Sequence, residues 1–253
     1  MLSLLKNHPF AVEAFFESSL VFTFAAPKEE IQKLIPECLQ LDTFKDKWAF
    51  IAIAMVQTKS LRPKGFPRWF GSNFFLIGYR VFVRFKNKAG KTLRGLYILK
   101  SETNKTKMQF WGNIFTHYHY TTTDVIQQET DGIIKIRSNS SAFNITVDTA
   151  NNENALLPRE SPFTSWKEAR RFAGPLPFTF TYEPATRKVL AIEGVRQNWR
   201  PTPVEVIDHH FSWISDLKLD HMVLANAFII RNIPYYWKKG KIEQWKEKNF
   251  KAH

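Results

Sequence analysis

His117 and His119 stand two residues apart in FWGNIFTHYHYTTT (110–123), an aromatic stretch nearly free of charge. On a β-strand that spacing points both imidazoles to one side. Two imidazoles on one face could hold a metal if a third ligand converged, and His209, His210, Asp208 and Glu102 are the candidates. Nothing in the spacing selects among them, so no metal is assigned. Without a metal, the pair would be imidazoles in a cavity wall, available for proton transfer. Alternation equally allows Tyr118 and Tyr120 to face the core and the histidines to face solvent.

A second constellation lies in FLIGYRVFVRF (75–85), where Arg80, Phe82 and Arg84 share one strand face and Tyr79, Val81, Val83 and Phe85 the other. A guanidinium enclosed in a small β-structure needs an anionic partner. For Arg80 that partner is either a ligand carboxylate or a structural acid, Glu102 or Glu193. Lys100 is the only lysine on an expected core strand of this region, and no second cation beside it would depress its pKa toward Schiff-base chemistry. Gly-x-Gly-x-x-Gly, Walker-type, Gly-x-Ser-x-Gly, His-Glu-x-x-His and Cys-x-x-Cys motifs are all absent. No nucleotide cradle and no cofactor are therefore implied.

The elements that must position these residues follow from period and punctuation. Pro27 opens a short helix with Glu29 and Glu30 in its first turn, and Pro36 closes it. Trp48–Gln57 is a continuous apolar run of strand length, suited to burial on both faces. The Pro- and Gly-rich segment 59–72 is a loop. FLIGYRVFVRF and TLRGLYILKSE form a hairpin through NKAGK. The 110–123 stretch is expected as a further strand, followed by GIIKIRSN and AFNITVDTA. FTSWKEARRFAG reads as a helix ended at Gly174; PFTFTYEP and RKVLAIEGVRQNW pair through ATR; MVLANAFIIRNI is a final strand. With no internal repeat and no composition break, residues 1–253 are expected to form a single domain, mainly β with a few short helices.

Composition bounds the rest. Aromatic residues make up 15% of the 253 residues, with 23 Phe and 8 Trp, enough to bury a sizeable core. A single cysteine, Cys38, rules out an intrachain disulfide and points to a reducing compartment, the cytoplasm. The first 27 residues lack a signal peptide's layout, and no apolar stretch reaches the length of a spanning helix. The formal net charge of +13 is spread along the chain and is densest in a basic tail, 236–253, expected to be mobile. Without a helix-turn-helix, zinc finger or RNP motif that charge is a weak argument for nucleic acid.

The order of segments resembles a family. The Pro27–Pro36 helix, Leu41–Phe44, the Arg62–Gly65 loop, the Arg80 strand with its GLYILKSE return, SWKEARRFAG and QNWRPTPVEV together resemble the YqjF-like bacterial family, domain of unknown function 2071. The resemblance implies an acetoacetate decarboxylase-like fold: an antiparallel β-barrel or sandwich around a small internal cavity. It also implies that the decarboxylase's Schiff-base lysine would fall in the 110–123 stretch, where no lysine occurs between Lys107 and Lys135. The expectation is thus a protein that holds a small apolar or carboxylate-bearing molecule, with Arg80, Glu102, Trp111, His117 and His119 as the wall. An enzyme using His and Glu for acid–base chemistry and a basic-surface interaction protein are the alternatives. The sequence leaves a homo-oligomer open.

Overall fold

The computed structural model describes residues 6–150, 155–174, 176–197 and 199–245. Its strands in chain order are β1 (Val12–Pro27), β2 (Gln40–Leu41), β3 (Trp48–Pro63), β4 (Ser72–Lys86), β5 (Thr92–Thr103), β6 (Tyr120–Thr122), β7 (Ile126–Thr130) and β8 (Ile133–Ser138). After them come β9 (Phe143–Asp148), β10 (Phe178–Glu183), β11 (Lys188–Arg196), β12 (Thr202–Pro203), β13 (Glu205–Phe211), β14 (Val223–Trp237) and β15 (Lys241–Gln244). Among the described residues the α-helices are α1 (Lys28–Gln32), α2 (Thr106–Phe115), α3 (Trp166–Phe172) and α4 (Ser212–Asp216).

Seven strands form a ring in the order β14-β1-β3-β4-β5-β10-β11. Pairing of Gly194, Val195 and Arg196 in β11 with Trp237, Tyr236 and Tyr235 in β14 closes it, which removes the free edges an open sheet would leave. The ring is not wholly antiparallel, as the sequence reading had it. β10 runs parallel to β5, the long connection between them carrying α2, β6 to β9 and α3, and β6 also pairs with β5 in parallel.

The apolar run of β3 shows why the ring encloses space. Its residues Ile53 and Met55 pack outward beneath a second sheet, order β13-β9-β8-β7, while Ala52, Ala54 and Val56 point inward. Large side chains outside and small ones inside leave unfilled volume within the barrel. On β4, Tyr79 and Ile77 belong to the outer layer and Leu76 and Phe82 to the inner one. Helix α3 is capped by Ser165, whose side chain accepts a hydrogen bond from the Glu168 N–H.

The 110–123 stretch corrects the sequence reading. Residues up to Phe115 belong to α2, Thr116–His119 form a turn, and only Tyr120–Thr122 are strand. In the basic segment, Tyr236 and Trp237 complete β14, and Lys241–Gln244 pair with β11. The rest of that segment lies outside the described residues. No helix among the described residues is long and apolar enough to cross a membrane.

Candidate ligand cavity

Inside the ring lies a cavity of about 210 Å³. Most of its wall is apolar, from Val21, Ala52, Leu76, Phe82 and Phe228 among others, and among the described residues no aspartate, glutamate or lysine lines it. Its polar groups include Arg80 on β4, Arg196 at the end of β11, Tyr118 and Tyr120 behind α2, and His8 before β1.

Arg80 projects inward between Leu76 and Phe82. Its guanidinium folds back over Gly78, where a Cβ would come within 2.6 Å of Nη2, so only glycine leaves that space. The Arg80 Nε is buried without a hydrogen-bond partner, and no ion pair engages the residue among the described residues. Both structural acids suggested for it are committed elsewhere. Glu102 binds the Tyr79 hydroxyl at 2.9 Å, Ser141 Oγ at 2.6 Å and Lys100 Nζ at 2.9 Å; Glu193 binds Lys238 Nζ at 2.8 Å. Arg84 differs from Arg80: with Arg94 it grips the fully buried Asp42, each at 2.6 Å.

Arg196 is the second cation of the wall. Its guanidinium lies 4.4 Å from the Trp199 ring and 5.8 Å from that of Tyr235. Burial lowers its pKa, Tyr235 opposes that shift, and the nearby Arg80 charge adds to it. At Gly194 a Cβ would stand 1.9 Å from the Tyr235 hydroxyl oxygen, so glycine again opens room for a polar side chain of the wall.

Two tyrosines face these arginines. Tyr118 shares a 2.9 Å hydrogen bond between its hydroxyl and Thr179 Oγ1, and Asn113 clamps Tyr120 through its backbone N–H (2.7 Å) and carbonyl (2.9 Å). Burial pushes the Tyr118 hydroxyl up to about 12, with the Thr179 bond and the Arg80 charge pulling partly back. Burial also raises Tyr120. Both are neutral hydroxyls at physiological pH. His8 is buried, its Nε2 has no partner, and desolvation lowers its pKa to about 4, so its imidazole is neutral too. Buried Thr23 Oγ1, Thr58 Oγ1 and Trp199 Nε1 on the same wall also have no partner. Two half-buried cations and a set of neutral polar groups thus share one largely apolar chamber.

Of the residues singled out in the sequence, Arg80 and Trp111 line the cavity. His117 and His119 do not. Tyr118 and Tyr120 both point inward, and the backbone at His119 between them is left-handed (φ 51°). His117 Nδ1 stands 3.8 Å from Glu183, and His119 is exposed. Glu102 is also outside the cavity. A bulge between the partners of Tyr79 and Arg80 inserts Leu99 into β5, so Ile98 opposes Arg80 on the inner face while Lys100 and Glu102 oppose Tyr79 and Ile77 on the outer one. Among the described residues no group of three His, Cys, Asp or Glu could hold a metal. Tyr118 and Tyr120 take the inward facing that alternation had left open, and His8, Arg196 and Tyr235 are wall residues that the sequence reading passed over.

A closed, mostly antiparallel ring around one cavity defines an acetoacetate decarboxylase-like fold. Acetoacetate decarboxylase from Legionella pneumophila superposes with a TM-score of 0.60 at 11% identity, over 92% of this chain and 87% of that one. The enduracididine biosynthesis enzyme MppR, complexed with the condensation product of pyruvate and imidazole 4-carboxaldehyde, gives 0.58 at 8% identity, covering 94% and 91%. An acetoacetate decarboxylase-like enzyme from Sphingomonas wittichii RW1 gives 0.55 at 8%, covering 96% and 94%. Residues 14–228 match the uncharacterised conserved protein family DUF2071, and the chain belongs to that family. No curated protein matches it.

Proposed function

We propose that this protein binds a small organic acid inside the barrel, the carboxylate held by Arg80 and the apolar body packed against the aromatic and aliphatic wall. The observation that carries this reading is an arginine whose buried Nε has no hydrogen-bond partner and which forms no ion pair among the described residues, facing a cavity lined, among those residues, by no carboxylate. A cation partly withdrawn from water without a partner is costly in the empty protein, and a ligand anion is what offsets it. Arg196 and the hydroxyls of Tyr118 and Tyr120 are placed to take the second oxygen or a neighbouring carbonyl. The complex of MppR with a pyruvate-derived compound supports an acid as the occupant. The lysine that a Schiff-base decarboxylation requires has no counterpart on the wall among the described residues, and Lys100 is held by Glu102 on the other side of the strand.

A melting-temperature screen of carboxylic acids, from pyruvate and acetoacetate to phenylacetate, tests this. Saturation at a hundred times Kd stabilises by about 2.7 kcal/mol, several degrees for a chain of this size. The expected result is such a rise for at least one acid, absent in Arg80→Met. A screen in which no acid shifts the wild type, or in which Arg80→Met responds equally, would overturn it.

A further inference from the structure

The barrel end at which β1 begins carries an unusual surface. The register places Val12 beside Pro63 and Trp237, and Leu61 beside Ser72, so the 64–71 loop lies at that end. Helix α2 follows β5 at the same end and is tied to the chain start by the His8 N–H bond to the Phe115 carbonyl, 3.1 Å. On the loop, Phe66, Trp69 and Phe70 are 51%, 77% and 53% exposed. Phe110 and Trp111 on α2 are exposed as well, and Trp111 also lines the cavity.

The loop is braced outward. Arg62 donates to the Phe66 carbonyl (2.8 Å) and pairs with Glu13, and the Lys64 N–H bonds the Ala11 carbonyl. Trp69 stacks on Phe70 with ring centroids 3.8 Å apart. The electrostatics are one-sided. Segments 6–12, 61–71 and 104–119 contain no acidic residue and supply Lys6, Arg62, Lys64, Arg68, Lys105 and Lys107. Of these, Arg68, Lys105 and Lys107 have no ion pair among the described residues.

We propose that this end of the barrel docks on an anionic lipid bilayer, with Phe66, Trp69 and Phe70 entering the interface and the surrounding cations facing the headgroups. Amphipathic aromatic rings favour the level of the headgroups, and cations beside them draw the surface onto anionic lipid. Two other partners fit less well. A second copy of this face would bring like charges together. Nucleic-acid stacking is less favoured, because Trp69 and Phe70 already cover one face of each other, leaving a single outer face on each for a base. The inference does not depend on the nature of the cavity's ligand.

The test is cosedimentation of the full chain with phosphatidylcholine vesicles, with and without phosphatidylglycerol. Wild type should pellet with the anionic vesicles only, and less so as salt rises. The triple variant Phe66→Ser, Trp69→Ser, Phe70→Ser should lose at least tenfold in binding with an unchanged melting temperature. Trp69→Ser alone, the most exposed change, should weaken binding if the triple variant misfolds. Absence of wild-type binding to anionic vesicles at low salt, or undiminished binding by both variants, would overturn the proposal. So would binding of an oligonucleotide or self-association, lost in the variants, with no vesicle binding.

Discussion

Arg80 sits where the energetics of the empty and the occupied barrel oppose each other. Its Nε is buried and unpartnered, and the half-buried side chain lies beside a second cation, Arg196. Replacing an uncompensated, partly buried charge by an apolar chain of similar length is commonly neutral or stabilising. Arg80→Met is therefore expected to melt no lower than wild type in acid-free buffer, by calorimetry, while losing its response to acids. His8 gives the cavity a pH dependence. The unfolded chain takes up a proton at this imidazole near its ordinary value of 6.5, the folded chain only near 4. Its contribution to stability is thus full above about 6.5 and declines as pH falls toward 4, by on the order of 2–3 kcal/mol. Urea unfolding across that range should show His8→Gln losing less stability on acidification than wild type does.

Helix α2 and the β5 bulge decide which of the sequence candidates reach the cavity. Met108, Trp111, Gly112 and Phe115 all line it, and their spacing of three, four and seven is a helical stripe. That stripe was present in the sequence, but the aromatic and β-branched content of 110–123 reads as strand, and a window beginning at Phe110 omits Met108. The facing of His117 and His119 was not legible, because alternation allows either side of the segment to face the core. Glu102 was misplaced for a related reason. Strict alternation from Leu96 carries it inward, and one inserted residue reverses the face. Arg80, by contrast, lies on β4, which carries no inserted residue at this point, so alternation holds. Two predictions separate these elements. Asn113→Ala removes both bonds holding Tyr120 and should cost about 1–3 kcal/mol of stability and weaken acid binding. Glu102→Ala strands Tyr79 and Ser141 and should cost a similar amount, measured by urea titration, yet leave acid affinity unchanged, since it acts outside the cavity.

For the whole molecule, ring closure converts a run of apolar strands into an enclosed chamber, and the second sheet lets β3 be buried on both sides. The mainly β class and the hairpins were legible from period and turn residues. The parallel β5–β10 pairing was not, because long-range strand partners leave no mark in local sequence. The chamber's chemistry follows from what lines it rather than from any motif: two arginines, neutral hydroxyls, and, among the described residues, neither lysine nor acid. Treatment with acetoacetate and borohydride should accordingly leave no reduced adduct in the mass spectrum; an adduct of stoichiometric yield would show a reactive amine this account lacks.

Titration calorimetry of wild type and Arg80→Met with the acid that most raises the melting temperature tests the central claim most directly. The account predicts one site per chain, a negative heat-capacity change from apolar burial, and at least thirtyfold weaker binding in the variant, about 2 kcal/mol for a charge-assisted contact. Equal affinity of the two proteins would contradict it.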